Sequence, residues 1–347
     1  MNYADGAGRA EIVKRALHKV KKKMRMKNQV KKIIISLGLL FGLSAQVYAS
    51  PAPEVLVTIA PLHSLVQGVL GDVGDAKLLI ESHKSPHGHQ LKPSTIGMLQ
   101  NAKLVFYIGD NLETNMTRAF EGLPELVRKV SMIKQQGVSK LDIRAGGGWE
   151  QHDHSSDNDS KENGRNSAEH NHEHDDLTDP HIWLDPTNAI VMIKAITREL
   201  SALYPENRST FKMNALSLIS DIKTTDKKIK TLLMPVKDRP FIVFHDAYQY
   251  FEKHYDLTAV GSIVLDSGIP TSVKRLRELR QKLASSGVIC IFREPQFSDK
   301  LSSVVAENTN AKLGTIDPIG VGLKPDGDLY SKLLTRMASS LRACLSK

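Results

Sequence analysis

The segment from Glu206 to Leu233 contains neither glycine nor proline, and apolar residues recur along it at helical spacing. It predicts one helix about 42 Å long at 1.5 Å per residue, which is longer than a single globular lobe needs. On both sides of it short apolar runs alternate with helical patterns, as in parallel sheets flanked by helices. We therefore predict an α/β chain of two lobes, each a mostly parallel sheet flanked by helices, joined by one long rigid helix.

The predicted elements divide the chain into an N-terminal lobe over residues 50–204, a connecting helix over 205–234 and a C-terminal lobe over 235–347. The predicted strands cover residues 55–59, 76–80, 104–108, 241–244, 258–262, 288–292 and 311–315. The predicted helices, besides the connecting one, cover residues 61–70, 95–100, 188–203, 247–254, 272–284 and 299–307.

The first 49 residues read as an export signal. A positive stretch over 27–32 precedes the apolar run Ile33–Val47, and Val47-Tyr48-Ala49 has the small-x-small pattern of signal-peptidase cleavage. We expect cleavage between Ala49 and Ser50, with Met26 as an alternative initiator. The apolar run is short for a membrane span, and no cysteine near the cleavage site indicates a lipid anchor. The predicted product is exported and soluble.

The basic character of the chain comes from the predicted export signal. The first 49 residues hold eleven of the 47 Lys and Arg residues but only two of the 38 Asp and Glu residues. The rest of the chain therefore has 36 basic and 36 acidic residues. A pI of about 9.3 would otherwise suggest an anionic partner. We therefore exclude nucleic-acid binding. The two cysteines, Cys290 and Cys344, most simply pair in an oxidising compartment, the alternative being two buried thiols.

Residues 150–178 form a segment rich in histidine and acidic residues, hereafter the His/acid segment. It contains nine carboxylates, and its only aliphatic or aromatic side chains are Ala168 and Leu177. Such a composition cannot bury enough apolar surface to offset its ordering, so we expect a solvated loop. Imidazoles and carboxylates suit zinc and similar divalent cations. We expect weak secondary metal binding by the five histidines of the segment, which are His152, His154, His170, His172 and His174. The alternative is an accidental polar insertion without a role in metal binding.

Three other histidines are candidates for a tighter site. His87, His181 and His245 each follow a predicted strand or lie in an irregular loop, and open α/β sheets bind ligands at the carboxyl ends of their strands. Their wide spacing is by itself a weak metal signal. His63 reads as a satisfied, partly buried histidine, and His254 reads as a surface residue.

Several motifs resemble those of the metal-binding solute-binding proteins of ABC transporters, and within that family its periplasmic zinc-uptake branch. They span the predicted mature chain in order: Ser85–His87, Leu91–Ser94, Asp179–Pro186, Phe244–Phe251, Arg293–Phe297 and Leu313–Gly320. The resemblance implies two α/β lobes, with a metal ion bound between them and no enzymatic reaction.

The resemblance assigns metal-ligand roles to His87, His181 and His245, and it matches Asp317 to a position that supplies a carboxylate in many relatives. The fourth ligand stays open, since water could take that place. A glutamate that precedes the first histidine in some relatives is Pro86 here. Asp185, Asp246 and Glu294 are candidates to orient the imidazoles.

Three neutral imidazoles favour Zn²⁺ over the harder manganese, so we expect a zinc carrier. The resemblance further implies a periplasmic monomer that delivers zinc to a membrane permease with a cytoplasmic ATPase. The alternatives are a manganese or iron carrier of the same family, a secreted zinc hydrolase and a metal-binding adhesin. The hydrolase is disfavoured because the chain has no His-Glu-x-x-His helix and no Gly-x-Ser-x-Gly motif.

Overall fold

The computed structural model describes residues 54–144, Trp149, 178–264 and 273–346. The predicted signal peptide, including the alternative initiator Met26, lies outside the described residues. So do all five histidines of the His/acid segment. None of the described helices is long and apolar enough to cross a membrane.

The first sheet has four parallel strands in the order β2-β1-β3-β4. Its central strands are buried along their whole length, as expected of a parallel sheet covered on both faces. The strands are β1 (Val55–Val57), β2 (Lys77–Leu78), β3 (Leu104–Tyr107) and β4 (Arg128–Ser131). The helices of this lobe are α1 (Ala60–Leu70), α2 (Pro93–Gln100), α3 (Thr114–Glu121) and α4 (Pro186–Leu203).

The second sheet repeats this plan with four parallel strands in the order β6-β5-β7-β8. Its strands are β5 (Phe241–His245), β6 (Ala259–Val264), β7 (Cys290–Arg293) and β8 (Lys312–Thr315). Its helices are α6 (Gln249–Tyr255), α7 (Val273–Ser286), α8 (Lys300–Ala306) and α9 (Leu329–Leu345). The central strand β5 is buried throughout. The predicted α/β fold of two parallel sheets is confirmed.

The long helix α5 (Arg208–Leu233) runs for 26 residues between the two sheets. A short 3₁₀ turn opened by Pro205 precedes it, so the α-helix begins two residues later than the sequence predicts. Its buried face packs against helices of both lobes, namely α1, α4, α6 and α9. Leu216, which shares the helical spacing of the buried residues, is exposed instead.

One hydrophobic core extends through both lobes and the connecting helix. The last helix, α9, takes part in both lobes, because Tyr330 donates from its hydroxyl to the carbonyl of Trp183 at 2.7 Å and from its backbone N–H to Ser64 Oγ at 3.0 Å. The predicted disulfide between Cys290 and Cys344 is confirmed. It fixes the carboxyl end of α9 to strand β7.

Candidate metal centre

Three histidines from distant parts of the chain meet between the two sheets. His87 lies in the loop before α2, His181 precedes a 3₁₀ turn that leads into α4, and His245 ends strand β5. One ring nitrogen of each lies within 4.8 Å of the others, which makes them the one group of possible metal ligands among the described residues. The centre therefore takes two ligand candidates from the N-terminal lobe and one from the C-terminal lobe.

The spacing of the imidazoles fits a small divalent cation. His87 Nε2 lies 3.2 Å from His181 Nε2. Nitrogens that bind zinc tetrahedrally at about 2.0–2.1 Å are about 3.4 Å apart. The three ring centroids lie 5.2, 5.3 and 5.7 Å from one another. The geometry thus needs little rearrangement to bring three nitrogens onto one ion.

Two of the imidazole rings contact buried carboxylates through Nδ1, the ring nitrogen that faces away from the cluster. Nδ1 of His181 lies 2.7 Å from Asp179 Oδ1, and Nδ1 of His245 lies 2.7 Å from Glu294 Oε1. When these carboxylates are ionised they can only accept, so each Nδ1 then carries the proton and Nε2 keeps its lone pair for the cluster. This carboxylate–imidazole arrangement is the usual support of a metal-binding histidine.

Burial and charge shift the pKa values of these groups. Burial raises the pKa of Asp179 to about 7, against the opposing effects of the His181 backbone N–H and the Arg144 charge. For His245 burial lowers the pKa, but the facing Glu294 carboxylate outweighs it and the net direction is upward. A proton therefore competes for His245 at a higher pH than for an ordinary histidine.

A small cavity surrounds the imidazoles, and much of its wall is apolar. Aromatic and proline side chains line it together with a few polar groups, which limits the access of water and strengthens electrostatic interactions inside it. Besides the three histidines, the lining consists of Ser85, Pro86, Trp183, Glu294, Gln296, Phe297, Pro318 and Ile319.

The structure does not bring Asp317 into the histidine group. Its carboxylate accepts from the backbone N–H groups of Ile319, Gly320 and Val321 at 3.0, 2.9 and 2.6 Å. Arg336 donates to Oδ2 at 2.5 Å, and Gln296 donates to Oδ1 at 2.8 Å. In this conformation Asp317 shapes the turn that follows β8.

Of the three carboxylates expected to orient the imidazoles, only Glu294 contacts one of them. Asp246, the residue after His245, pairs with Arg144. Asp185 caps helix α4 by accepting from Thr187 N at 2.7 Å, and it also lies 3.1 Å from His254 Nδ1. The two remaining carboxylates thus support neighbouring structure.

Sequence reasoning missed Asp179 and Arg144. Asp179 stands two residues before His181 and binds both its backbone N–H and its ring, so the Asp-Pro-His spacing was a usable signal. Arg144 donates to Asp246 and Glu252 across the lobes, and its guanidinium carbon lies 3.5 Å from the ring centroid of Trp149. The contacts with Asp246 and Glu252 span more than a hundred residues, and the sequence holds no local sign of them.

Comparison with known proteins assigns the family. The family described as the periplasmic component A of the zinc-uptake complex, ZnuA, matches residues 55–344. The chain belongs to this family. The high-affinity zinc uptake system protein ZnuA of Brucella suis is 34% identical over 335 residues, covering 93% of this chain and 100% of the relative. The ZnuA protein of Yersinia pestis is 29% identical over 314 residues, covering 87% and 95%.

A solved structure shares the fold of this ZnuA chain. The periplasmic zinc binding protein TroA from Treponema pallidum is similar with a TM-score of 0.70 at 20% identity, covering 85% of this chain and 99% of that one. At this identity the likeness establishes the fold: two parallel sheets with a long helix between them.

Proposed function

We propose that the protein binds Zn²⁺ in the periplasm through His87, His181 and His245 and delivers it to the membrane permease of an ABC transporter with a cytoplasmic ATPase. The observation that carries this proposal is the convergence of three imidazoles, two of them backed by buried carboxylates. The names of its ZnuA relatives, high-affinity zinc uptake system proteins, support it. The protein acts as a monomeric carrier, and no covalent step is involved.

The donor set favours zinc over the manganese and iron that we kept as alternatives. Neutral imidazole nitrogens suit zinc, whereas harder manganese prefers carboxylate oxygens. Asp317, the carboxylate that could have added such an oxygen, is engaged by five donors outside the histidine group. A fourth ligand from water would leave a neutral set of donors around the ion.

Binding would join the lobes, since His87 and His181 come from one and His245 from the other. An ion stabilises the arrangement that presents all three nitrogens by as much as its differential affinity for that arrangement. The hydrophobic core that extends through both lobes opposes wide opening. Capture and release should therefore involve side chains and loops around the cavity more than a rotation of whole lobes.

Titration calorimetry of residues 50–347 with Zn²⁺ and with Mn²⁺ tests the proposal. We expect one tight equivalent of zinc, much weaker manganese binding, and loss of the tight equivalent in His245→Ala. His83→Ala is the matched control, because His83 is an exposed histidine outside the cluster. Tight zinc binding that survives His245→Ala would contradict the assignment of the site.

The five histidines of the His/acid segment add weaker metal binding in this proposal. Deleting residues 150–178 should remove low-affinity zinc equivalents and leave the tight one in place. If the deletion abolished the tight equivalent while the protein remained folded, the segment itself would hold the principal site.

A further inference from the structure

Gln296 lies between the histidine cluster and Asp317. It follows strand β7 and lines the same cavity as the three histidines. Its Nε2 donates to Asp317 Oδ1 at 2.8 Å and lies 3.4 Å from the carbonyl of Ser82, in the loop that leads to His87. Its Oε1 is buried and has no hydrogen-bond donor among the described residues.

The chemistry of Asp317 fixes which way this amide points. A carboxylate only accepts hydrogen bonds, so the nitrogen of Gln296 must face it and the oxygen must occupy the other branch of the amide. Asp317 cannot easily turn away, because three backbone N–H groups and Arg336 hold its two oxygens. The buried acceptor of Gln296 therefore has a defined orientation.

A buried acceptor that lacks a donor is unfavourable, and such groups need an explanation. The cavity supplies one when the ion is bound. Three imidazoles leave one position of a zinc tetrahedron open, and a water molecule there carries two O–H donors. Direct coordination by the amide oxygen is less favourable, because zinc prefers nitrogen, sulfur and carboxylate ligands.

We propose that Gln296 is a positioning residue for the fourth ligand of the ion: its amide oxygen accepts a hydrogen bond from a metal-bound water, and Asp317 acts through it by fixing the amide. The inference rests on the proposed zinc-binding function and deepens it. In place of direct binding by the Asp317 carboxylate, the ion then has a water molecule positioned by a neutral amide. This neutral set of donors keeps the site selective for a borderline cation.

The test uses Co²⁺ as a visible probe of the site in residues 50–347, together with Zn²⁺ affinity from chelator competition. A divalent cation held by three neutral imidazoles lowers the pKa of a water bound to it toward neutrality, so the cobalt spectrum should change with pH as that water ionises. An acceptor stabilises the water more than the hydroxide, which is a weaker donor. Gln296→Ala should therefore move this transition to lower pH and weaken zinc binding by about tenfold, the range expected for groups that support a metal ligand.

Gln135→Ala is the matched control, since Gln135 is a partly buried glutamine whose Nε2 donates to the Ser131 carbonyl at 2.7 Å, outside the cavity. It should leave both the transition and the affinity unchanged. Gln296→Met, which keeps the length of the side chain, serves if the alanine variant fails to fold, and it should shift the transition in the same direction.

The outcomes separate the two proposals. Wild-type protein that binds zinc tightly, with an unshifted cobalt transition in both Gln296 variants, would overturn the role of Gln296 and leave the zinc site intact. A wild-type cobalt complex without any such transition would also overturn it, because no ionisable water would be present. Failure of the wild-type protein to bind zinc would instead refute the proposed function.

Discussion

Two groups of histidine and carboxylate lie where the lobes meet, one buried and one half-buried, and their hydrogen bonds differ. His181 and His245 each give one ring nitrogen to a carboxylate and turn the other toward the cluster. His254 gives both nitrogens to carboxylates, Nδ1 to Asp185 at 3.1 Å and Nε2 to Asp226 at 2.8 Å. The same residue types thus produce a metal ligand in one place and a structural ion pair in the other.

The His254 group also joins three parts of the fold. His254 belongs to α6 of the C-terminal lobe, Asp185 caps α4 of the N-terminal lobe, and Asp226 lies on the connecting helix, where Lys230 pairs with it at 3.2 Å. Burial lowers the pKa of His254, but its two carboxylate partners outweigh burial and raise it. The expected surface position of His254 is wrong, since its side chain is only 14% exposed.

Replacing one histidine of each group by alanine should give the largest difference between the two groups in zinc affinity and stability. His245→Ala should weaken zinc binding by more than ~100-fold, since loss of a ligand exceeds the effect of losing its supporting partner. His254→Ala should leave zinc affinity within about threefold but lower the free energy of unfolding of the metal-free protein by about 1–3 kcal/mol. Competition with a zinc chelator and urea unfolding measure the two effects. Equal loss of affinity in both variants would remove the distinction.

Neutralising the supporting carboxylates should have the next largest effect. Glu294→Gln and Asp179→Asn keep the size of each side chain and remove its charge, so each should weaken zinc binding by about 10–100-fold. Asp226→Asn is the control from the other group and should leave zinc affinity unchanged. Chelator competition at one fixed pH compares all three. Wild-type affinity in both of the first two variants would show that the carboxylates only fill space.

The two groups should also respond to pH in opposite directions. Zinc binding requires a neutral His245, whose pKa is raised, so zinc affinity should fall as pH falls through that raised value. His254 also has a raised pKa, so its contribution to stability is complete at low pH and is lost as pH rises through the folded value. Urea unfolding of metal-free wild type and His254→Gln across pH 5–9, roughly the range in which histidines titrate, measures the second trend. The difference between them should shrink as pH rises.

The smallest effect is expected at the loop that carries His87. Asn115 Nδ2 donates to the carbonyl of Gly88 at 2.9 Å, an exposed contact that fixes the loop through its backbone. Asn115→Ala should lower zinc affinity by no more than about threefold, in line with a single exposed hydrogen bond, and should mainly speed zinc release. Stopped-flow transfer of zinc to a chelator measures the rate. Asn101→Ala, which removes a similar exposed amide contact from the residue after α2 to the carbonyl of Gly97, is the control.

Much of the fold could be predicted because its buried strands are apolar runs and its long helix lacks breakers. Strand β4 and helix α3 were missed for the opposite reason. The strand begins with exposed Arg128 and Lys129, and the short helix is mostly polar, with Met116 and Phe120 as its buried residues. The strand has no alternating apolar pattern, and the helix has only two buried apolar residues at helical spacing, too few to stand out in a window of about 11–18 residues.

The site was predictable to the extent that its residues lie in local motifs. The resemblance pointed to His87, His181 and His245, and the structure places them together. The partners of Asp317 and His254 were not predictable, because they come from separate elements. Asp317 is held partly by Arg336 on the last helix, and only the folded chain shows that its carboxylate is already engaged.

The contacts of helix α9 also set the order in which the site can be completed. Its Tyr330 supports Trp183, which walls the cavity beside His181, and Cys344 ties the end of the helix to β7. Helix α9 follows every residue of the cavity lining in the sequence, so these contacts form only after the rest of the lining has been synthesised. The cavity wall is therefore complete only once α9 has been made and has packed.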